Sequence, residues 1–81
     1  MARVLLFGRL QDVAGWRARD LDPCPPRASA LRDQLAEEDP TLGAALHAPS
    51  IAFVLNGVVR RDDPEIAPGD EAAFLPPMSG G

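Results

Sequence analysis

The sequence predicts a small α+β domain of two layers, in which one main helix covers one face of a mixed β-sheet of about four or five strands. Three observations indicate this fold class. The length of 81 residues suits a single domain with one hydrophobic core. Short runs rich in β-branched and aromatic residues stand near both ends of the chain and around an Asn-Gly pair. Only one longer segment, between Pro26 and Pro40, carries apolar side chains at helical spacing.

The first strand is predicted at residues 3–8, a continuously apolar run that is too short to stand as a helix. Residues 9–15 follow as one helical turn, and Gly15 closes it. Residues 16–21 alternate weakly and predict a second strand, antiparallel to the first. The proline-rich segment 23–26 continues neither type of element, since proline fixes φ and has no N–H to donate. It is therefore a linker.

The main helix is predicted between the proline-rich linker and Pro40, with Ser29 or Arg27 at its cap, neither of them ideal there. Leu31 and Leu35 lie on one side of it, and charged residues face outwards. Pro40 ends this helix, and residues 41–47 predict a short second helical turn. The helical layer is therefore small and covers one sheet face only.

A β-hairpin is predicted at residues 51–60, because two strand-like runs flank Asn56 and Gly57. Asn-Gly is the pair that best tolerates the positive φ angles of a type I′ turn. Pro68 and Gly69 suit the central positions of a type II turn before the last strand. Both turns order strands in the second half of the chain.

The last strand is predicted at residues 71–75, and Pro76 and Pro77 end it because neither can add a ladder hydrogen bond. If the first and last strands are parallel neighbours at the sheet centre, with the helix in their crossover, the fold is a ubiquitin-like β-grasp. We therefore expect a β-grasp domain over residues 1–75 and a flexible C-terminal tail over residues 76–81.

Composition narrows the functional classes. The net charge of −4 argues against nucleic acid as a partner. No run reaches the ~20 apolar residues of a membrane span, and a single cysteine, Cys24, fits a reducing compartment, so a cytoplasmic protein without a membrane partner is expected. Cys24 is flanked by prolines and lies far in sequence from the tail, with no neighbouring His or Lys, so a reactive thiol is not predicted. All eight basic residues are arginines.

Four segments carry a resemblance to a known family: "VLLFGRLQDVAG", "FVLNGVV", "PGDEAAF" and "FLPPMSGG". Together they resemble the small subunit of molybdopterin synthase, a ubiquitin-like sulfur carrier. The resemblance runs from Arg3 to Gly81 and is strongest at the two ends. A terminal Gly-Gly alone is a weak signal, but Gly-Gly after a Phe-Leu-Pro-Pro strand end is much more specific.

The resemblance implies that an ATP-dependent, E1-like enzyme adenylates the Gly81 carboxylate and that a sulfur donor protein supports its conversion to a thiocarboxylate. The large synthase subunit would then accept the tail, and the sulfur would pass to a cyclic pterin precursor, building a dithiolene. The catalytic acid–base groups are expected on the large subunit, in a heterotetramer. The chain itself would be a sulfur-donating subunit with no permanently bound cofactor and no metal.

The tail residues suit insertion into a partner. Six extended residues from Pro76 to Gly81 reach about 20 Å, far enough to enter a buried site while the domain stays outside. The two prolines stiffen the root of the tail, and the two glycines have no Cβ to clash with a narrow channel. The residues expected to enter the partner are Pro76, Pro77, Met78, Ser79 and Gly80, ahead of the reactive Gly81.

A surface for docking is predicted as well. One helix cannot cover all apolar strand residues, so some of them must be exposed. We expect Phe7, Val59 and Leu75 to form an apolar partner interface, with Arg9 as a charged contact.

Three other functions stay open at this point. A sulfur carrier for thiamin thiazole synthesis shares the fold and the Gly-Gly end, but it lacks the Phe-Leu-Pro-Pro lead-in. A ubiquitin-like modifier would be joined through Gly81 to lysines of other proteins. A plain binding module would have an inert tail, so deletion of Gly81 would leave its function intact.

Overall fold

The structure is a computed structural model, and it describes residues 1–77. Within this range the chain forms five strands and three helices, two of the helices short. No helix among them is long and apolar enough to cross a membrane. In chain order the elements are β1 (Ala2–Leu6), α1 (Arg9–Ala14), β2 (Ala18–Leu21), α2 (Ala28–Glu38), α3 (Pro40–Leu46), β3 (Ala52–Leu55), β4 (Val58–Arg60) and β5 (Glu71–Leu75).

The strands form one mixed sheet in the order β2-β1-β5-β3-β4. The central pair, β1 and β5, is parallel, with Val4 opposite Ala72 and Leu6 opposite Phe74. The other three pairs are antiparallel. A parallel pair needs a crossover connection, and here α2 lies within it. This is the β-grasp topology, so the predicted fold is confirmed.

Local turn chemistry accounts for the hairpin and for the entry into β5. Asn56 and Gly57 both have positive φ, 51° and 82°, as the predicted type I′ turn requires. Gly69 has a φ of 92°, and the Asp70 N–H donates to the Ala67 carbonyl at 3.0 Å across the second predicted turn. Both turns are therefore confirmed.

The start of α2 is held by a distant part of the chain. Arg27 occupies its N-cap position and makes no side-chain capping bond. Asp63 instead accepts the Ser29 N–H and the Ser29 hydroxyl, each at 2.8 Å. The Ala28 N–H donates to the Pro64 carbonyl at 3.0 Å. The loop after β4 thus satisfies helix donors that would otherwise lack partners.

Helix α3 begins where Asp39 accepts the N–H groups of Thr41 and Leu42, at 3.1 and 3.2 Å. It packs closely on α2 at Gly43. A Cβ placed on Gly43 would lie 2.4 Å from the Cβ of Ala36, so only a glycine permits this approach. The two helices therefore form one continuous layer over the sheet.

The core lies between that layer and one sheet face. On the sheet side, the rings of Phe53 and Phe74 have centroids 5.3 Å apart. Alternation along the strands sends neighbouring side chains to the opposite face. The large side chains with less than 2% exposure are those of Val4, Leu6, Leu10, Leu31, Leu35, Leu42, Leu46 and Phe74.

Candidate functional site

The root of the tail lies at the end of β5. Leu75 pairs with Ala52 of β3 and is half-buried. Pro76 is also half-buried, and Pro77 is exposed. The strand ladder ends here because neither proline has an N–H to donate. The predicted insertion residues Met78, Ser79 and Gly80, and the reactive Gly81, lie outside the described residues.

Gly8, which the sequence analysis did not single out, lies directly against this root. Its φ of 58° and ψ of −139° are typical of glycine. A Cβ on Gly8 would lie 2.8 Å from the Cγ of Pro76. The Phe7 N–H donates to the Phe74 carbonyl at 3.2 Å, and the Leu10 N–H donates to the Phe7 carbonyl at 3.2 Å. Pro76 therefore sits on the turn between β1 and α1, which sets the direction in which the chain leaves the sheet.

The sheet face turned away from the helices carries a continuous apolar row. Leu5 of β1 pairs with Ala73 of β5, which pairs with Val54 of β3. The row continues to both sheet edges, because Leu5 also pairs with Ala18 and Val54 pairs with Val59. The row crosses all five strands, and its end at Val59 is 52% exposed.

A second, shorter row lies nearer the tail. Leu75 is opposite Ala52, and Phe7 continues the ladder beyond β1 with 42% of its surface exposed. We use the term open face for both rows together. The open face brings Phe7, Val59 and Leu75, the predicted partner contacts, onto one side of the sheet. Its large exposed side chains are those of Phe7 and Val59, whereas Ala73 is buried, and exposed apolar side chains gathered on one face are typical of interaction sites. The open face consists of Leu5, Phe7, Ala18, Ala52, Val54, Val59, Ala73 and Leu75.

The two ends of this face differ in charge. At the end remote from the tail, Arg3 pairs with Asp20 at 3.3 Å and lies opposite Glu71. At the tail end, Arg9 begins α1 next to Gly8 and is exposed. No ion pair within residues 1–77 engages Arg9. Arg9 therefore lies near the tail root, and its role as a charged partner contact stays a prediction.

The remaining reactive side chains are held in internal contacts. The Cys24 thiol lies 3.3 Å from the Pro25 carbonyl oxygen and 3.6 Å from that of Ile66. The His47 Nδ1 lies 2.7 Å from the Gly43 carbonyl oxygen. No three His, Cys, Asp or Glu side chains of the described part of the chain lie where they could hold a metal ion. The features of this part of the molecule that bear on the prediction are the open face and the tail root.

The acidic segment after β4 is also engaged internally. Asp62 accepts from the Arg60 guanidinium at 2.7 Å, and this hydrogen bond lowers the pKa of Asp62. The hydrogen bonds from Ser29 lower the pKa of Asp63. Both carboxylates therefore stay ionised at neutral pH as parts of the fold.

Comparison with known proteins adds to this geometry. The sequence model of the ThiS family matches residues 4–81, which include the open face, the tail root and the tail. The chain belongs to the ThiS family. The resemblance seen in the sequence is strongest at the two ends of the chain, and the family match includes both of these ends.

The relatives of this ThiS-family chain are similar over its whole length. The molybdopterin synthase sulfur carrier subunit of Escherichia coli (strain K12) is 30% identical over 81 residues, 100% of both chains. The protein of the same name from Haemophilus influenzae has the same identity and coverage. Among solved structures, SAMP1 from Haloferax volcanii has a TM-score of 0.83 at 29% identity, and the match covers 99% of this chain and 98% of that one.

Proposed function

We propose that this chain is the sulfur carrier subunit of a molybdopterin synthase. The observation that carries the proposal is the similarity, over the full length, to two relatives that bear that name. The "FLPPMSGG" segment directly after β5 supports it, because a slender tail on a stiff root suits insertion into a partner's active site.

The chemistry is proposed to take place at the Gly81 carboxylate. A carboxylate is a poor electrophile, so an activating enzyme first joins it to the α-phosphorus of ATP, and pyrophosphate leaves. A sulfide equivalent from a donor protein then attacks the carbonyl carbon, and AMP leaves. The net change at Gly81 is the exchange of one oxygen for sulfur, without oxidation or reduction of the carbon.

Transfer is proposed to follow inside the large synthase subunit. The thiocarboxylate sulfur forms a bond to a carbon of the cyclic pterin precursor, and an oxygen substituent leaves that carbon. Water then hydrolyses the bond between the sulfur and the Gly81 acyl carbon, which restores the Gly81 carboxylate. Each chain carries one carboxyl terminus, whereas a dithiolene contains two sulfur atoms. Two loaded chains are therefore consumed for each dithiolene.

In this proposal, residues 1–77 bind the large subunit and direct the tail towards it. The open face supplies apolar contact with the large subunit, and Arg9 supplies a charged contact beside the tail. Gly8 and Pro76 set the direction of the tail, and the prolines lower the entropy lost when it is threaded into the partner. The same surface would serve the activating enzyme, since that enzyme must receive the same tail.

A second function has one observation in its favour. The structural similarity to SAMP1, a small archaeal modifier protein, fits a chain whose Gly81 becomes joined to amines of other proteins. This chain contains no lysine, so it could not form lysine-linked polymers of itself.

Reconstitution with purified components tests the proposal. The thiocarboxylated chain is mixed with the large subunit from the same organism and the cyclic pterin precursor, and a variant that lacks Gly81 serves as the control. We expect dithiolene product at one molecule per two chains consumed, with the carboxylate restored. Isopeptide bonds to lysines of other proteins, without dithiolene, would instead favour the modifier. Sulfur transfer only in a parallel reaction that supplies the thiazole-forming enzyme and its substrates would favour the thiamin pathway.

A further inference from the structure

An arginine-lined groove lies beside the open face. It has a volume of about 270 Å³ and is bounded by α2, the segment before β3, and the end of β4. Ala52 and Val59 of the open face contribute to its wall. Ala52 is also the strand partner of Leu75, directly before the tail root. The groove therefore lies next to the surface that a tail-receiving partner would cover. Its charged lining consists of Arg32, Arg60, Arg61 and Asp62.

One of these arginines is held in place by aromatic rings. The guanidinium carbon of Arg32 lies 5.4 Å from the ring centroid of Phe53 and 5.4 Å from that of Phe74. Both rings are buried, and Arg32 is half-buried. The N–H donors of a guanidinium point outwards in the plane of the group, so packing its flat face on aromatic rings leaves those donors available to an acceptor. Arg32 is thus positioned before any ligand arrives.

The charges in the groove are unbalanced. Three arginines and one carboxylate, that of Asp62, line the groove. Asp62 accepts two hydrogen bonds from Arg60, at 2.7 and 3.0 Å. Within residues 1–77, no ion pair involves Arg32 or Arg61. The chain as a whole has a net charge of −4, so this groove is a positively charged region on an acidic protein. The positive potential in the groove favours binding of an anionic group there.

We propose that the groove binds an Asp or Glu side chain of the large synthase subunit when the tail of this chain enters the large subunit. This inference rests on the proposed function. Guanidinium groups bind carboxylates in pairs of parallel hydrogen bonds, and Arg32 and Arg61 have donors available for one. The contact would fix the rotation of the docked chain about its tail, because the groove lies to one side of the apolar rows.

The size and position of the groove favour a side chain over a separate small molecule. Pockets for small ligands usually have about 300–1,000 Å³, whereas this groove has about 270 Å³ and is open to solvent. Its wall shares Ala52 and Val59 with the open face, so a protein that covers that face also covers the groove. A phosphate-bearing metabolite is the competing occupant.

Binding of the large subunit by charge-altered variants tests the inference. The dissociation constant is measured by calorimetry at low and at physiological salt. Arg61→Glu reverses a charge in the groove, and Arg61→Gln removes it. Arg17→Glu is the matched control, because it changes the net charge by the same amount as Arg61→Glu. Arg17 is exposed and lies before β2, at the opposite edge of the sheet. Asp62→Asn removes the one carboxylate in the groove. Circular dichroism verifies that each variant is folded.

We expect Arg61→Glu to weaken binding by about tenfold, more at low salt, and Arg17→Glu to change it by less than about twofold. We expect Arg61→Gln to have an intermediate effect, and Asp62→Asn to tighten binding. Equal effects of Arg61→Glu and Arg17→Glu, while the wild-type chain binds well, would overturn the groove contact and leave the proposed function standing.

Two further outcomes would also overturn the inference. The first is saturable binding of inorganic phosphate at the groove, detected by NMR and lost in Arg61→Glu, with partner affinity unchanged. It would assign the groove to a phosphate compound. The second is no binding of wild-type chain to the large subunit, which would overturn the proposed function and the assigned occupant together.

Discussion

Replacement of Val59 by alanine measures how much the open face contributes to docking. Val59 is 52% exposed in the free chain, so about half of its side chain is available for burial by a partner. Val→Ala removes two methyl groups, and a buried methylene contributes about 0.8 kcal/mol. Scaled by the exposed fraction, the loss is about 0.8 kcal/mol, a roughly fourfold weaker dissociation constant for the large subunit.

Val58 offers a matched control on the same strand. It is 60% exposed, and alternation along β4 places it on the opposite side of the sheet from Val59. Both alanine variants are compared by calorimetry against the large subunit and by urea unfolding. We expect Val58→Ala to leave partner affinity unchanged. Equal affinities of the two variants, at equal stability, would refute the assignment of the open face as the docking surface.

Three further predictions concern the fold. Gly43→Val destabilises the chain by about 1–3 kcal/mol in urea unfolding, because its Cβ would overlap Ala36, and an unchanged midpoint would refute the tight helix contact. Gly57→Ala costs about 1–2 kcal/mol by the same assay, since a φ of 82° is strained for alanine, and no loss would contradict the type I′ turn. Asp63 has a lowered pKa, so the stability it contributes is complete above its ordinary pKa of 3.8 and is lost as pH falls through the folded value. Asp63→Asn should therefore unfold with less dependence on acidic pH, measured by thermal midpoints, and an identical acid profile would show that the Ser29 contacts do not stabilise the fold.

The parts of the fold that depend on local chemistry were predictable from the sequence. Asn56 and Gly57 form the hairpin turn because the two residues themselves tolerate positive φ. Pro76 and Pro77 end the last strand because they lack N–H groups. The parallel pairing of β1 and β5 joins the two ends of the chain, and it was reached only as the topology that the element order permits.

Contacts between distant parts of the chain were not predictable. Arg27 occupies the N-cap without a side-chain acceptor and Ser29 lies inside α2, and the sequence does not show that Asp63, 34 residues beyond Ser29, supplies the missing acceptor. A glycine at the end of the predicted first strand, Gly8, signals an unusual backbone conformation, but its contact with Pro76 exists only once β1 and β5 are paired.

The candidate site shows the same division. Strand alternation predicted that Phe7, Val59 and Leu75 exceed what one helix layer can cover. The register places Val59 and Leu75 on the open face, and Phe7 follows there directly after β1. The stacking of Arg32 on two aromatic rings needs α2 to lie across β3 and β5, so periodicity along the sequence could not reveal it. The role of the open face in docking remains a prediction.

The central claim is that Gly81 carries the transferable sulfur, and intact mass measurement tests it most directly. The chain is incubated with ATP, its activating enzyme and a sulfur source, and fragmentation locates any modified residue. We expect a mass gain equal to the exchange of one oxygen for sulfur, confined to Gly81 and absent from a folded variant that lacks it. An unchanged mass, with activating enzyme and donor shown to be active on another carrier, would contradict the sulfur carrier function.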